Sequence, residues 1–518
     1  MEFKRTIGLY GLLFAGIGSV IGSGWLFGPL YAAQLAGPAA IISWIIGGIL
    51  MIIVALTFAE LSSAFPVAGG MVQFAQLSHG PLVSFMIGWM IWFSSVALAP
   101  VETMSLIQYA ANYIPGLVKK ENNLTVLTNI GIGGAAGVMF IMCVLNYYGA
   151  LFFSRLNSAI TGIKLIVPIA TFFILIAIDF HLSNFDNPRT GGFAPYGWKG
   201  ILSALPLGGV IFSFLGSNTI IQLAGESKNP QRDIPLVLIG SVLFCMILYV
   251  CLQLAFIGAL SPSILTKDWH HLNFVGDSGP FAGVLTALGL SWFTIIIYGD
   301  ALISPFGTGF IYTASTARVS YGLSRIGFFP ESLQKLTQRG VPLRGILLNY
   351  FVGLLLFLPF PDWQNMVSII ISSFVLTYMI GPISLIALRK SKPDQHRPFK
   401  LPFANLSALV AFYICNLLIF WTGWNTVSRM MIALSIGLLF FIIHSYQQKN
   451  NLWLKQLNTS WWIFPYFIGV TLISYLGTFG KGLGLIPFGI DFAVMGVFTF
   501  IIFYLALKLS HHINSDEK

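Results

Sequence analysis

Charge is what this chain has least of. Only 8% of its 518 residues are Asp, Glu, Lys or Arg, where a soluble chain carries roughly a quarter. Meanwhile 56% are hydrophobic and the mean hydropathy is +0.83. That scarcity excludes a soluble domain and leaves a polytopic membrane protein. Cysteine is nearly as scarce: Cys143, Cys245, Cys251 and Cys415 all fall in apolar runs and read as small buried hydrophobes, with neither disulfide nor metal spacing. The eight histidines sit in loops or near segment ends. A membrane-embedded enzyme would want a metal cluster or a nucleophile–base pair in mid-membrane, so no catalytic residue, metal or cofactor is expected. Low-complexity tracts are absent, which confines any binding to the space within or between helices.

Apolar segments supply what is present. A spanning helix needs about 20 mostly apolar residues. Fourteen candidates run near 7–35, 38–62, 82–113, 127–148, 154–180, 200–224, 234–260, 282–316, 343–360, 365–388, 403–424, 427–446, 460–479 and 486–508. The start, Met1-Glu2-Phe3-Lys4-Arg5, has a signal-like charge, but the apolar run behind it is too long and lacks a clear cleavage site, so it reads as an uncleaved first helix. The net charge of +10 would suit nucleic acid, but its placement argues for a lipid bilayer instead. With the N-terminus inside, 19 of the 27 basic residues fall inside, among them Lys4, Arg5, Arg318, Arg389 and Arg397. Seven fall outside, namely Lys119, Lys120, Arg189, Lys199, Lys267, Arg429 and Lys481, and Lys164 lies within a span. That bias places both termini in the cytoplasm of a multi-pass cell membrane protein.

Two segments are interrupted. The first carries Gly22-Ser23-Gly24 near its middle, and the sixth carries Phe214-Leu215-Gly216-Ser217-Asn218. Unwound backbone is tolerated at membrane depth only where protein or a water-filled cavity satisfies it, and paired breaks in two halves of a chain point to a transporter with a midplane site. The N–H groups opening the second half of the first helix, with the positive end of its dipole, suit a carboxylate. Carbonyls freed near Gly216 suit an ammonium. Together they complement a zwitterion such as an α-amino acid. Glycine in membrane helices also serves close packing, and two breaks opening two halves favour the binding reading.

Three ionisable residues fall inside spans, which makes each a functional candidate. Lys164 lies deep in segment 5, where snorkelling to an interface is the alternative, and a desolvated ammonium gives up its proton more readily. Glu102 in segment 3 and Asp300 in segment 8 would relay protons, contact a substrate amine, or serve as solvated cavity groups. Glu60, ending segment 2, reads as structural.

The chain resembles the amino acid–polyamine–organocation superfamily of permeases over roughly residues 5–445. The resemblance rests on six stretches in order: Gly16 to Phe27, Ala59 to Gly70, Gly88-Trp89, Gly225 to Pro235, Ala317 to Pro330, and Leu388 to Pro402. It implies an all-α fold of the LeuT type, a five-plus-five inverted repeat with discontinuous helices 1 and 6. The transport core would occupy 1–450, with helices 1–5 over about 7–180, helices 6–10 over about 200–389 and helices 11–12 over about 403–446. Residues 451–518 add two extra helices and a tail. Ser23 and Gly24 would then meet the substrate carboxylate, and the carbonyls of Val20, Phe212 and Leu215 its amino group, with Gly22, Gly216 and Asn218 also substrate-binding and Phe212 as an aromatic gate. Lys164 matches a lysine of proton-coupled relatives, so Lys164, Asp300 and Glu102 are the expected proton-coupling set. Asn218 stands where many relatives have Glu, and Ser94 where some cationic amino acid carriers have Glu, which argues against a cationic substrate. The stretch from Ser304 to Arg318 looks most like bacterial permeases of the aspartate–proton symporter type. The function implied is amino acid import by proton symport with alternating access. The alternatives are an amino acid/amine exchanger of the same fold and a transporter-derived sensor. Expected partners are an amino acid, the proton and lipid; oligomeric state is not readable from these residues.

Overall fold

In the computed structural model the described residues are 7–66, 70–121, 124–148, 150–261, 265, 268–272, 274, 279–447 and 457–510. The first apolar segment divides into α1 (Leu9–Val20) and α2 (Ser23–Ala36), followed by α3 (Ala40–Ala64), a short α4 (Gly70–His79) and the long α5 (Pro81–Ala110). A hairpin of β1 (Val118–Glu121) and β2 (Leu124–Leu127) leads to α6 (Asn129–Tyr147) and α7 (Ala150–Ile178). The sixth segment is α8 (Gly197–Leu207) and α9 (Ser217–Gln222), then come α10 (Pro230–Gly258), α11 (Pro280–Ala287), α12 (Ser291–Arg325) and α13 (Leu343–Leu356). The chain closes with α14 (Trp363–Tyr378) and α15 (Ile380–Ser391), α16 (Ala404–Trp421), α17 (Trp424–Gln447), α18 (Leu457–Ser460), α19 (Ile463–Leu476) and α20 (Ile490–Leu509).

Helices cover every one of the fourteen expected segments. By length and composition ten of them pass as spans, or eleven with the bent α8–α9 pair, while Leu9–Val20, Leu343–Leu356 and Ile463–Leu476 are shorter apolar helices. The chain is thus an all-α polytopic membrane protein in its architecture, with one small β-ribbon among the described residues. The eighth segment differs from expectation. It is cut at residues 288–290, where Gly289 has φ +72°, so α11 stands apart and the long helix runs from 291 to 325 rather than from 282 to 316. Large apolar side chains such as Ile166, Phe173, Ile295, Phe351, Val497 and Phe500 are more than half exposed. An all-round apolar helix in a bundle of this composition turns that face to lipid tails.

The bundle is clamped at the ends of its helices. At one end Glu60, fully buried at the end of α3, takes Arg389 Nε at 2.7 Å and Nη2 at 2.6 Å, and also accepts Leu401 N–H at 2.7 Å. Arg397 Nε lies 3.4 Å from the same carboxylate. At the other end the ribbon is stitched to the start of α14: Val126 bridges Asp362, and Leu127 N–H donates to Pro361 O at 3.2 Å. The two last helices pack on the bundle. Asn416 of α16 donates to Thr499 and accepts from Tyr466, Tyr413 reaches Phe492 O, and Ser460 reaches His79 O at 2.8 Å.

Candidate functional site

The first break lies one residue earlier than the glycine motif suggests. α1 ends at Val20, Ile21 and Gly22 are unwound, and Ser23 and Gly24 already form the first turn of α2. The second break is longer than expected. α8 stops at Leu207, Gly209 turns with φ +75°, Phe212–Phe214 make one 3-10 turn, and α9 resumes at Ser217 after a 53° bend. The two breaks pack directly across each other. A Cβ on Gly216 would lie 3.1 Å from Val20 N and 2.9 Å from Ser19 Oγ, and one on Gly24 would lie 3.2 Å from Ser213 Cα. Backbone cannot give way as a side-chain tip can, so both positions require glycine. Ser19 Oγ bridges the breaks, donating to Gly16 O at 2.8 Å and toward Gly216 O at 3.3 Å.

The groups freed by unwinding are met by protein, as membrane depth demands. Lys164 Nζ, on α7, donates to Gly18 O at 3.0 Å and to the Thr308 hydroxyl of α12. Thr308 in turn donates to Ile21 O at 3.1 Å. Ser23 N–H donates to Glu102 Oε2 of α5 at 2.9 Å. Of the three carbonyls expected to hold an amino group, Leu215 O accepts from Tyr312 at 3.2 Å, Phe212 O accepts the Leu215 amide at 3.0 Å, and Val20 O is 3.5 Å from the Tyr249 hydroxyl. Asn218 is 3% exposed and its Oδ1 has no partner among the described residues.

The three ionisable residues converge. Lys164, Glu102 and Asp300 are each 1% exposed, and both carboxyl groups act electrostatically on the lysine. Among the described residues none of them closes an ion pair within 4.0 Å. Lys164 donates to Gly18 O and to the Thr308 hydroxyl, Glu102 accepts from Ser23 N–H, and Asp300 accepts from Ser304 at 3.0 Å while one of its carboxyl oxygens has no partner among the described residues. Gly307 makes room for the lysine, since a Cβ there would meet Lys164 Cε at 3.1 Å and Ile160 Cγ2 at 2.5 Å.

Over this group lies an aromatic layer centred on Trp363. Its indole N–H donates to Ser23 Oγ at 3.0 Å, Phe212 meets it edge-on at 5.7 Å, and Phe27 and Tyr31 pack on it at 5.3 and 5.5 Å. Trp363, Thr308, Tyr249 and Tyr312 were not picked out by reading the sequence. Trp363 opens its segment, where an aromatic reads as an interfacial anchor. Thr308 sits between two glycines inside a span, and that unusual polar gap is the signal that would have found it.

The profile of a family described as amino acid permease matches residues 7–443. A glutamate/serine transporter, AimA, of Bacillus subtilis (strain 168) is 37% identical over 517 residues, covering 98% of this chain and 94% of that protein. An aspartate-proton symporter of the same organism is 33% identical over 508 residues, covering 98% and 96%. A branched-chain amino acid permease, BcaP, is 28% identical, covering 86% and 94%. These relatives are transporters rather than enzymes, and with the family profile spanning most of its length the chain belongs to the amino acid permease family of the amino acid–polyamine–organocation superfamily.

Proposed function

We propose that the protein is a proton-coupled amino acid symporter of the bacterial cell membrane, with both termini in the cytoplasm, a five-plus-five inverted repeat, and alternating access about the two breaks. The observation that carries this reading is the crossing itself: two unwound helices in contact, with Lys164, Glu102 and Asp300 buried around them. Buried intramembrane charges of both signs, satisfied partly through unwound backbone, belong to a device that exchanges ions or protons. In this reading Ser23 and Gly24 receive the substrate carboxylate, Val20, Phe212, Leu215, Gly216 and Asn218 line its amino end, and Phe212 with Trp363 closes over it.

Glutamate, serine and aspartate, named for two relatives, are the substrates to try first. Purified protein in proteoliposomes, offered labelled acidic, small polar, branched and basic amino acids with and without an imposed pH gradient, tests the reading. We expect gradient-dependent accumulation of acidic or small polar amino acids that collapses with a protonophore. Counterflow against an internal amine without any gradient would instead identify an exchanger, and uptake of no amino acid or amine would end the transport reading.

Trp363→Phe keeps a ring against Phe27, Tyr31 and Phe212 but deletes the donor to Ser23. One neutral hydrogen bond contributes about 1 kcal/mol, so the KM for uptake should rise about fivefold at unchanged expression. An unchanged KM would remove Trp363 from the closed site.

A further inference from the structure

The anion seat at the start of α2 is already filled. Ser23 N–H donates to Glu102 Oε2 at 2.9 Å. Glu102 Oε1 and Cδ are the atoms a Cβ on Gly22 would meet, at 2.6 and 3.1 Å. The whole carboxyl group therefore lies against the backbone of Gly22 and Ser23, where the break meets α2, having crossed from α5. It is held by a backbone amide at the positive end of a 14-residue helix and is 1% exposed. The lysine nearby does not hold it: Lys164 donates to Gly18 O and Thr308. A carboxylate on the amides of a broken helix is the arrangement that a bound amino acid would make with its own α-carboxylate.

We infer that Glu102 is a resident stand-in for the substrate's α-carboxylate, filling its seat at Ser23 in the empty protein and leaving that amide when an amino acid arrives. This rests on the assignment of Ser23 and Gly24 as the substrate seat made above. The arrangement answers two physical needs. An empty seat would leave a buried amide without an acceptor, a cost comparable to a lost hydrogen bond. It also sets a threshold for entry: a ligand displaces Glu102 only by bringing an equivalent carboxylate, so an amine that lacks one does not open the site. Displacement brings a further negative charge among the groups that interact electrostatically with Glu102, namely Lys164 of α7, Tyr249 of α10 and Tyr312 of α12, with Asp300 acting in turn on Lys164. One proton taken from the medium onto the displaced Glu102 carboxylate balances that charge, so the exchange of carboxylates is itself a route by which substrate and proton enter together.

The test uses the full chain in detergent or nanodiscs. In Glu102→Ala the seat is vacant. Formate, the smallest carboxylate, should raise the thermal unfolding midpoint of the variant saturably, with formamide and chloride inert and the wild type unmoved. Amino acid affinity should rise about tenfold, because a charge-assisted competitor is gone. In case this variant fails to fold, Glu102→Gln keeps the acceptor for Ser23 N–H without the charge and should also bind the amino acid more tightly than wild type. Loss of amino acid affinity in both variants, with no formate effect, would overturn the inference and make Glu102 a direct support of the substrate. Formate rescue with no amino acid binding to any form, wild type included, upholds Glu102 as the occupant of an anion seat and instead defeats the amino acid reading on which the seat's ligand rests.

Discussion

Lys164→Ala should reduce gradient-driven accumulation to background. The ammonium joins α7 to the carbonyl of Gly18 in the last turn of α1, before the first break, and to Thr308, which itself holds Ile21 O. It is also the cation on which both Glu102 and Asp300 act. Removing it leaves two buried carboxyl groups without that positive neighbour and the Gly18 carbonyl, in the last turn of α1, without its donor. Deleting one partner of a buried charge arrangement costs about 3–5 kcal/mol, and even the lower figure corresponds to more than about a hundredfold in an equilibrium. Uptake into proteoliposomes under an inward proton gradient measures this, and counterflow measured beside it separates coupling from binding. A variant that loses accumulation but keeps counterflow would confine Lys164 to the proton; one that loses both would make it part of the binding frame. Full accumulation without the lysine would reject its role altogether.

The largest loss of stability is expected from Glu60→Ala. That carboxylate is fully buried, receives both nitrogens of the Arg389 fork and the Leu401 amide, and has Arg397 at 3.4 Å. Arg397 also donates to the carbonyls of Leu388, Lys392 and Gln395, so it cannot swing away without giving these up. Without Glu60 two guanidinium groups face each other with no counter-charge, a loss of about 3–5 kcal/mol. The unfolding midpoint in detergent should fall clearly, and Glu60→Gln should fall less because its side-chain carbonyl still accepts. A Glu60→Ala protein as stable as the wild type would show that the clamp between α3 and the 389–401 loop carries no net energy.

The broken helices were legible in the sequence because lipid makes unwound backbone conspicuous: Gly22 and Gly216 stand in runs that should otherwise be continuous. Lys164 was legible for the same reason, as a charge where charge is costly. The partners of these features were not. Glu102 meets Ser23 across 79 residues of chain, and no local pattern states which intramembrane carboxyl group folds onto which amide. The ribbon at 118–127 escaped notice because four-residue strands have too short a period to read, and α4 because a ten-residue helix lies below the length that marks a span. The eighth segment was misjudged at its start since Gly289 interrupts hydrophobicity that is otherwise unbroken.

The ribbon has a practical consequence. Its first strand leaves Lys119, Lys120 and Glu121 exposed, with Lys119 and Glu121 paired on one face, while its second is sewn through Val126 and Leu127 to the two residues that precede Trp363. Whatever grips the ribbon therefore also grips the tryptophan over Ser23. If the transport reading proposed above holds, a nanobody raised against those charged side chains should slow uptake, and a fluorophore attached there should report movement of Trp363, without touching the residues proposed to bind substrate.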